Sequence, residues 1–190
     1  MKSDLLLIPN IITISRLICI PIIVGLYLTG SNELKLIALI IFLYAAISDF
    51  LDGYLARKLD QSSLLGEVID PIADKLLVII IYMLFLTDNF INMLTATGIL
   101  IIVSREIVII TLREIFAHKG MQIKVISLSK TKTAFQLISI IMLFLASIRY
   151  PDEIIFLNAA NIILWLAVIL SIASLYQYLI NIKKGKTHET

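Results

Sequence analysis

Six apolar runs dominate this chain, at about 8–29, 35–56, 67–87, 91–115, 132–149 and 154–180. Short polar breaks separate them, such as Thr29-Gly30-Ser31-Asn32-Glu33 and Arg149-Tyr150-Pro151-Asp152-Glu153. A bilayer core is crossed by roughly 20 apolar residues in a helix, so each run is long enough to span. A membrane β-barrel would need alternating polarity over segments of roughly ten residues, and that alternation is missing. Apolar residues make up 59% of the chain, with a mean hydropathy of +0.99, whereas soluble domains run nearer half apolar. The pattern therefore predicts an all-α polytopic membrane protein, a bundle of six transmembrane helices forming one domain over 1–190. Cys19 is the only cysteine, so no intramolecular disulfide can form and the redox compartment stays open. The first residues lack a basic stretch followed by a small-residue cleavage site, so no cleavable signal is expected.

Charge sets the expected orientation. If six helices alternate, Lys2, Arg57, Lys58, Arg113, Lys119, Lys124, Lys130, Lys132, Lys183, Lys184 and Lys186 fall on one side. The opposite loops hold only Lys35 and Arg149. The positive-inside rule then places both termini in the cytoplasm, with the protein in the cell (inner) membrane. The tail from Lys183 to Thr190 reads as a solvated anchor, and His188 within it as a residue without chemistry.

Four aspartates interrupt or flank the second and third runs: Asp49, Asp52, Asp70 and Asp74. Ionisable groups at membrane depth are costly and default to function. On helices, Asp49 and Asp52 lie about 60° apart, and Asp70 and Asp74 about 40° apart, so each pair occupies one face. Two such faces could enclose hard cations, which take oxygen ligands. Without a cation, four close carboxylates would repel one another. Counting inward at about 1.5 Å per residue puts Asp49 and Asp74 roughly 12 Å from the cytoplasmic helix ends, with Arg105 in the same inner half. These charges are expected to meet in one cytoplasm-facing cavity. A plainer account makes Asp70 an N-cap and Pro71 the first helical residue, with Asp74 near the positive dipole end. That account leaves Asp49 and Asp52 unexplained.

The run Asp49-Phe50-Leu51-Asp52-Gly53-Tyr54-Leu55-Ala56-Arg57 is followed, after eight residues, by Gly66-Glu67-Val68-Ile69-Asp70-Pro71-Ile72-Ala73-Asp74. It resembles the full signature of the CDP-alcohol phosphotransferase family, D-x2-D-G-x2-A-R-x8-G-x3-D-x3-D. The resemblance implies that Asp49, Asp52 and Asp70 hold two divalent cations, magnesium or manganese. Asp74 would complete the second metal site and act as general base. Gly53, Ala56, Arg57 and Gly66 would belong to the CDP-lipid site. Small residues at 53 and 56 would let a flat base approach the helix, although apart from the resemblance close helix packing is the plainer reading.

Two further segments point to one branch of that family. Pro9-Asn10-Ile11-Ile12-Thr13-Ile14-Ser15-Arg16 resembles the N-terminal P-N-x2-T-x2-R motif of phosphatidylglycerophosphate synthases. It assigns Asn10 and Thr13 to the CDP-lipid and Arg16 to the acceptor phosphate. A snorkelling arginine is the alternative for Arg16. Ser104-Arg105-Glu106 and Lys130-Thr131-Lys132-Thr133-x2-Gln136 resemble two more segments of those synthases, with Ser129 where a glycine usually stands. The acceptor they imply, glycerol 3-phosphate, is a dianion. Arg105, Lys130 and Lys132, with Arg113 as a weaker candidate, would supply cations apart from the aspartates. The competing readings make Lys130 and Lys132 topological anchors and pair Arg105 with Glu106 or an aspartate.

The expected partners are CDP-diacylglycerol, glycerol 3-phosphate, membrane lipid and a second copy in a homodimer, with no nucleic acid. Cardiolipin synthesis and phosphatidylinositol-phosphate synthesis are the nearest alternatives, since the signature would not change. The phosphatidylglycerol acceptor of cardiolipin synthesis carries no terminal phosphate, so the additional cations count against it. A membrane prenyltransferase would need more helices and lacks the D-G-x2-A-R segment. A divalent-metal transporter would need polar residues through both halves of the bilayer.

Overall fold

The apolar runs are helices in the computed structural model, which describes residues 8–59, 64–118, 121–123, 127–149, 154–183 and 187–189. Side chains are described for 10–48, 69, 72–116, 131–149 and 154–182. The elements are α1 (Ile8–Leu28), α2 (Asn32–Leu59), α3 (Leu64–Phe85), α4 (Met93–His118), β1 (Met121–Ile123), α5 (Ser127–Arg149), α6 (Ile154–Lys183) and β2 (Thr187–Glu189). Four helical segments among the described residues are long and apolar enough to cross a bilayer: Asn10–Leu28, Met93–Phe116, Thr131–Arg149 and Ile154–Ile182. The chain is a multi-pass, helical membrane protein. The surface supports this, because large apolar side chains such as Ile18, Ile40, Met93, Ile155, Ile162 and Ile169 point outward. Apolar exposure on that scale marks contact with lipid or a partner.

The chain forms two compact units, Met1–Thr87 and Asp88–Thr190. In the first, α1 packs against both α2 and α3. Its core is built from Ile23, Phe42, Ala45, Ile81, Tyr82 and Phe85, all fully enclosed. Pro21 sits inside α1 and removes one backbone donor, a loss that membrane helices tolerate through their neighbours. The α1–α2 turn is three residues long because Gly30 takes a left-handed φ of 79°, and its N–H donates to the Tyr27 carbonyl at 3.2 Å. Only glycine adopts that backbone cheaply. Beside the turn, the Lys35 ammonium stands 4.8 Å from the centre of the Tyr27 ring, which meets Phe85 edge-on at 5.6 Å. Lys35 is thus buried against the Tyr27 ring, a use that its place at the edge of an apolar run does not suggest.

In the second unit, α6 packs against α5 and α4 around Ile99, Ile102, Ile140, Leu143, Phe144 and Leu164. Asn92 caps α4, its Oδ1 accepting the Thr95 N–H at 2.8 Å. The Thr95 hydroxyl reaches Asn161 Oδ1 of α6 at 2.6 Å, and Ser147 of α5 donates to Asp88 at 2.8 Å. Two hydroxyls also donate back to their own helix: Ser139 to the Gln136 carbonyl and Ser174 to that of Ser171, both at 2.9 Å.

Two expectations change. Helix α3 starts at Leu64, so Asp70 and Pro71 lie within it and Asp70 does not cap its start. The apolar signal begins later than the helix because the first turns carry Gly66 and Glu67. The tail is not simply solvated either. Residues 187–189 pair antiparallel with 121–123, His188 opposite Gln122, in a short ribbon beside the otherwise helical fold.

Candidate active site

The four aspartates sit next to the connection 60–63 that joins α2 to α3. Asp49 and Asp52 belong to the second half of α2, Asp70 and Asp74 to the first half of α3. Spacings of three and four residues on continuous helices keep each pair on one side of its helix, as the sequence implied. Gly53, Ala56 and Arg57 follow on α2, and Gly66 precedes on α3. The side chains of Asp49, Asp52, Ala56, Arg57 and Asp70 lie outside the described set. Asp74 is described: its carboxylate is 29% exposed and pairs with Lys75 Nζ at 3.0 Å. Among the described residues, no three His, Cys, Asp or Glu side chains form a metal cluster. The donor types suit a hard divalent cation, since carboxylates offer only oxygen.

Helix α1 contributes Asn10, Thr13 and Arg16 from its buried side, at 6%, 1% and 0% exposure. The three-residue step places them along the buried face of α1. Full enclosure also rules out the snorkelling alternative for Arg16, because a snorkelling side chain carries its charge to water.

The second unit holds a buried ionic network. Arg105 and Glu106 of α4, with Lys132 and Gln136 of α5, are each less than a tenth exposed. Glu106 Oε1 accepts from Lys132 Nζ, from Arg105 Nη1 at 3.2 Å and from Gln136 Nε2 at 3.1 Å. Arg105 Nε donates to the Ser171 carbonyl at 3.0 Å and Nη2 to Ser174 Oγ at 2.5 Å, both on α6. One guanidinium therefore ties α4 to α6 while the adjacent carboxylate ties α4 to α5. Arg105 and Lys132, expected as acceptor-binding cations, are brought together, and the pairing of Arg105 with Glu106 is also real. Sequence reasoning leaves Gln136 without a role and gives Glu106 only a local pairing with Arg105. The four-residue spacing of Lys132 and Gln136, which puts both on one face of α5, was the signal available. Lys130 lies in the first turns of α5 with its side chain outside the described set, and Arg113 is exposed on α4 near Tyr178 of α6.

Residues 6–173 match the CDP-alcohol phosphatidyltransferase family, so the match takes in both units and every residue discussed above. The chain belongs to that family, whose members generally depend on divalent metal. Among similar proteins, a CDP-diacylglycerol–glycerol-3-phosphate 3-phosphatidyltransferase of Rickettsia bellii is 36% identical over 177 residues, 93% of this chain and 95% of its own. Proteins of the same name are 39% identical in Rickettsia felis and 37% identical in Haemophilus influenzae. They cover 93% and 94% of this chain and 95% and 94% of their own lengths.

Proposed function

We propose that this protein transfers the phosphatidyl group of CDP-diacylglycerol to sn-glycerol 3-phosphate, giving phosphatidylglycerophosphate and CMP in phosphatidylglycerol biosynthesis. The observation that carries this reading is the end-to-end correspondence with relatives bearing that activity in their names. The reaction is assigned to the cytoplasmic face of the cell membrane, through six crossings with both termini inside, because the basic residues gather on that side.

A hydroxyl of glycerol 3-phosphate attacks the lipid-proximal phosphorus, a new P–O bond forms, and the bond to CMP breaks. Asp74 takes the hydroxyl proton, a role suited to a carboxylate that keeps part of its surface accessible. Asp49, Asp52 and Asp70, with Asp74, would hold two divalent ions, magnesium or manganese. Such ions neutralise a diphosphate and stabilise its leaving oxygen. Asn10, Thr13, Gly53, Ala56, Arg57 and Gly66 are assigned to the CDP-lipid. Arg16, Arg105, Arg113, Lys130 and Lys132 are assigned to the acceptor phosphate, where charge-assisted hydrogen bonds match a dianion.

The test is CMP release by the purified protein with CDP-diacylglycerol and one of three acceptors. Glycerol 3-phosphate should support turnover, with phosphatidylglycerol and inositol phosphate inactive. Excess chelator should abolish release, and magnesium or manganese should restore it. Turnover with phosphatidylglycerol alone would move the protein to cardiolipin synthesis, and turnover in excess chelator would overturn the metal assignment.

A further inference from the structure

A single oxygen, Glu106 Oε1, gathers the Lys132 ammonium, the Arg105 guanidinium and the Gln136 amide. Its side chain is 1% exposed, that of Lys132 2% and that of Arg105 6%, so the group lies away from water. At low dielectric, two cations on neighbouring helices repel strongly unless an anion lies between them. The remaining bonds of Arg105, to the Ser171 carbonyl and the Ser174 hydroxyl, prevent its guanidinium from turning away. Gln136 brings a neutral donor to the same oxygen and so fixes the carboxylate without competing for its charge.

We infer that Glu106 is a positioning residue for the acceptor: it holds Lys132 and Arg105 side by side, ready for the phosphate of glycerol 3-phosphate. The inference deepens the proposed function and rests on it. Donors already gathered cost little to organise when the dianion arrives, which is how a fixed polar site gains over flexible side chains. Glu106 itself would repel the phosphate, so its contribution acts only through the two cations. A purely structural clamp would have a different signature. Breaking it would loosen α4, α5 and α6 together and weaken both substrates alike.

The experiment measures the dependence of CMP release on each substrate for the full-length enzyme carrying Glu106→Gln, alone and combined with Lys132→Ala. Glu106→Gln should raise KM for glycerol 3-phosphate by about tenfold or more and leave that for CDP-diacylglycerol within about twofold. On the Lys132→Ala background, the same substitution should add less than about threefold, because one of the two groups it positions is gone. Glu106→Asp keeps the charge with a shorter reach and should recover part of the loss. Should Glu106→Gln fail to accumulate as folded enzyme, Glu106→Asp carries the same test, with a smaller rise confined to the acceptor. Equal losses for both substrates, no change in either, or a full tenfold effect on the Lys132→Ala background would overturn the inference. The wild-type enzyme separates this from the parent reading: if it releases CMP only with another acceptor, glycerol 3-phosphate transfer fails whatever Glu106 does.

Discussion

Asp74 keeps part of its carboxylate accessible beside Lys75, whereas Glu106 is enclosed by Arg105, Lys132 and Gln136. The difference decides which of them can do proton chemistry. A base must reach the hydroxyl it deprotonates, and the Glu106 carboxylate is instead held by two cations and an amide at Oε1. Asp74→Asn preserves size and most hydrogen bonding while removing the proton acceptor. Turnover should fall by at least about 10², the usual value of a general base. CDP-lipid binding should suffer less, because Asp49, Asp52 and Asp70 remain. Steady-state CMP release with equilibrium binding of a CDP-lipid analogue checks both halves, and near-normal turnover would mean that another group takes the proton.

Helices α4 and α6 come close at Gly98, where an added Cβ would lie 3.0 Å from Leu164 Cδ2 and 3.2 Å from its Cγ. Small residues at such points let membrane helices approach. Gly98→Ala gains helix propensity but must displace the end of Leu164, so stability should move by less than about 1 kcal/mol. Gly98→Leu overfills the contact and should cost roughly 1–3 kcal/mol. Thermal unfolding in detergent measures this, and a Gly98→Leu variant as stable as wild type would contradict the close approach. Helix existence was legible in the sequence because apolar runs of membrane length have few alternatives. The three- and four-residue spacings of the aspartates fall on continuous helices, α2 and α3, as the pattern required. The start of α3, expected near 67, is at Leu64, so the Asp70-Pro71 pair that imitates a cap lies inside the helix. The Glu106 network was not legible. Adjacency to Arg105 suggests a local pair, and only packing brings in Lys132 and Gln136, 26 and 30 residues away. The pairing of residues 187–189 with 121–123 likewise joins segments with no periodicity to read.

At the scale of the whole molecule, the path of α2 and α3 decides which side of the membrane carries the chemistry. Four described helices are long and apolar enough to cross, and the aspartates lie on α2 and α3. If both cross, the connection 60–63 is cytoplasmic. If they dip in and return, it lies outside, and the carboxylates beside it face outside as well. The termini cannot distinguish these cases, because six crossings and four both bring them to one side. Ser62 can. With Cys19 replaced by serine, the chain has no other thiol, so Ser31→Cys, Ser62→Cys and Lys186→Cys can each be probed with a membrane-impermeant maleimide in a bacterial host. Arg57 and Lys58 stand just before the connection, and only two basic residues occupy the loops assigned outside, so the positive-inside rule puts Ser62 in the cytoplasm. Ser31→Cys should therefore label in intact cells, and Ser62→Cys and Lys186→Cys only once the membrane is permeabilised. Labelling of Ser62→Cys in intact cells would place the aspartates on the outer side, away from cytoplasmic glycerol 3-phosphate, and would overturn the six-crossing arrangement.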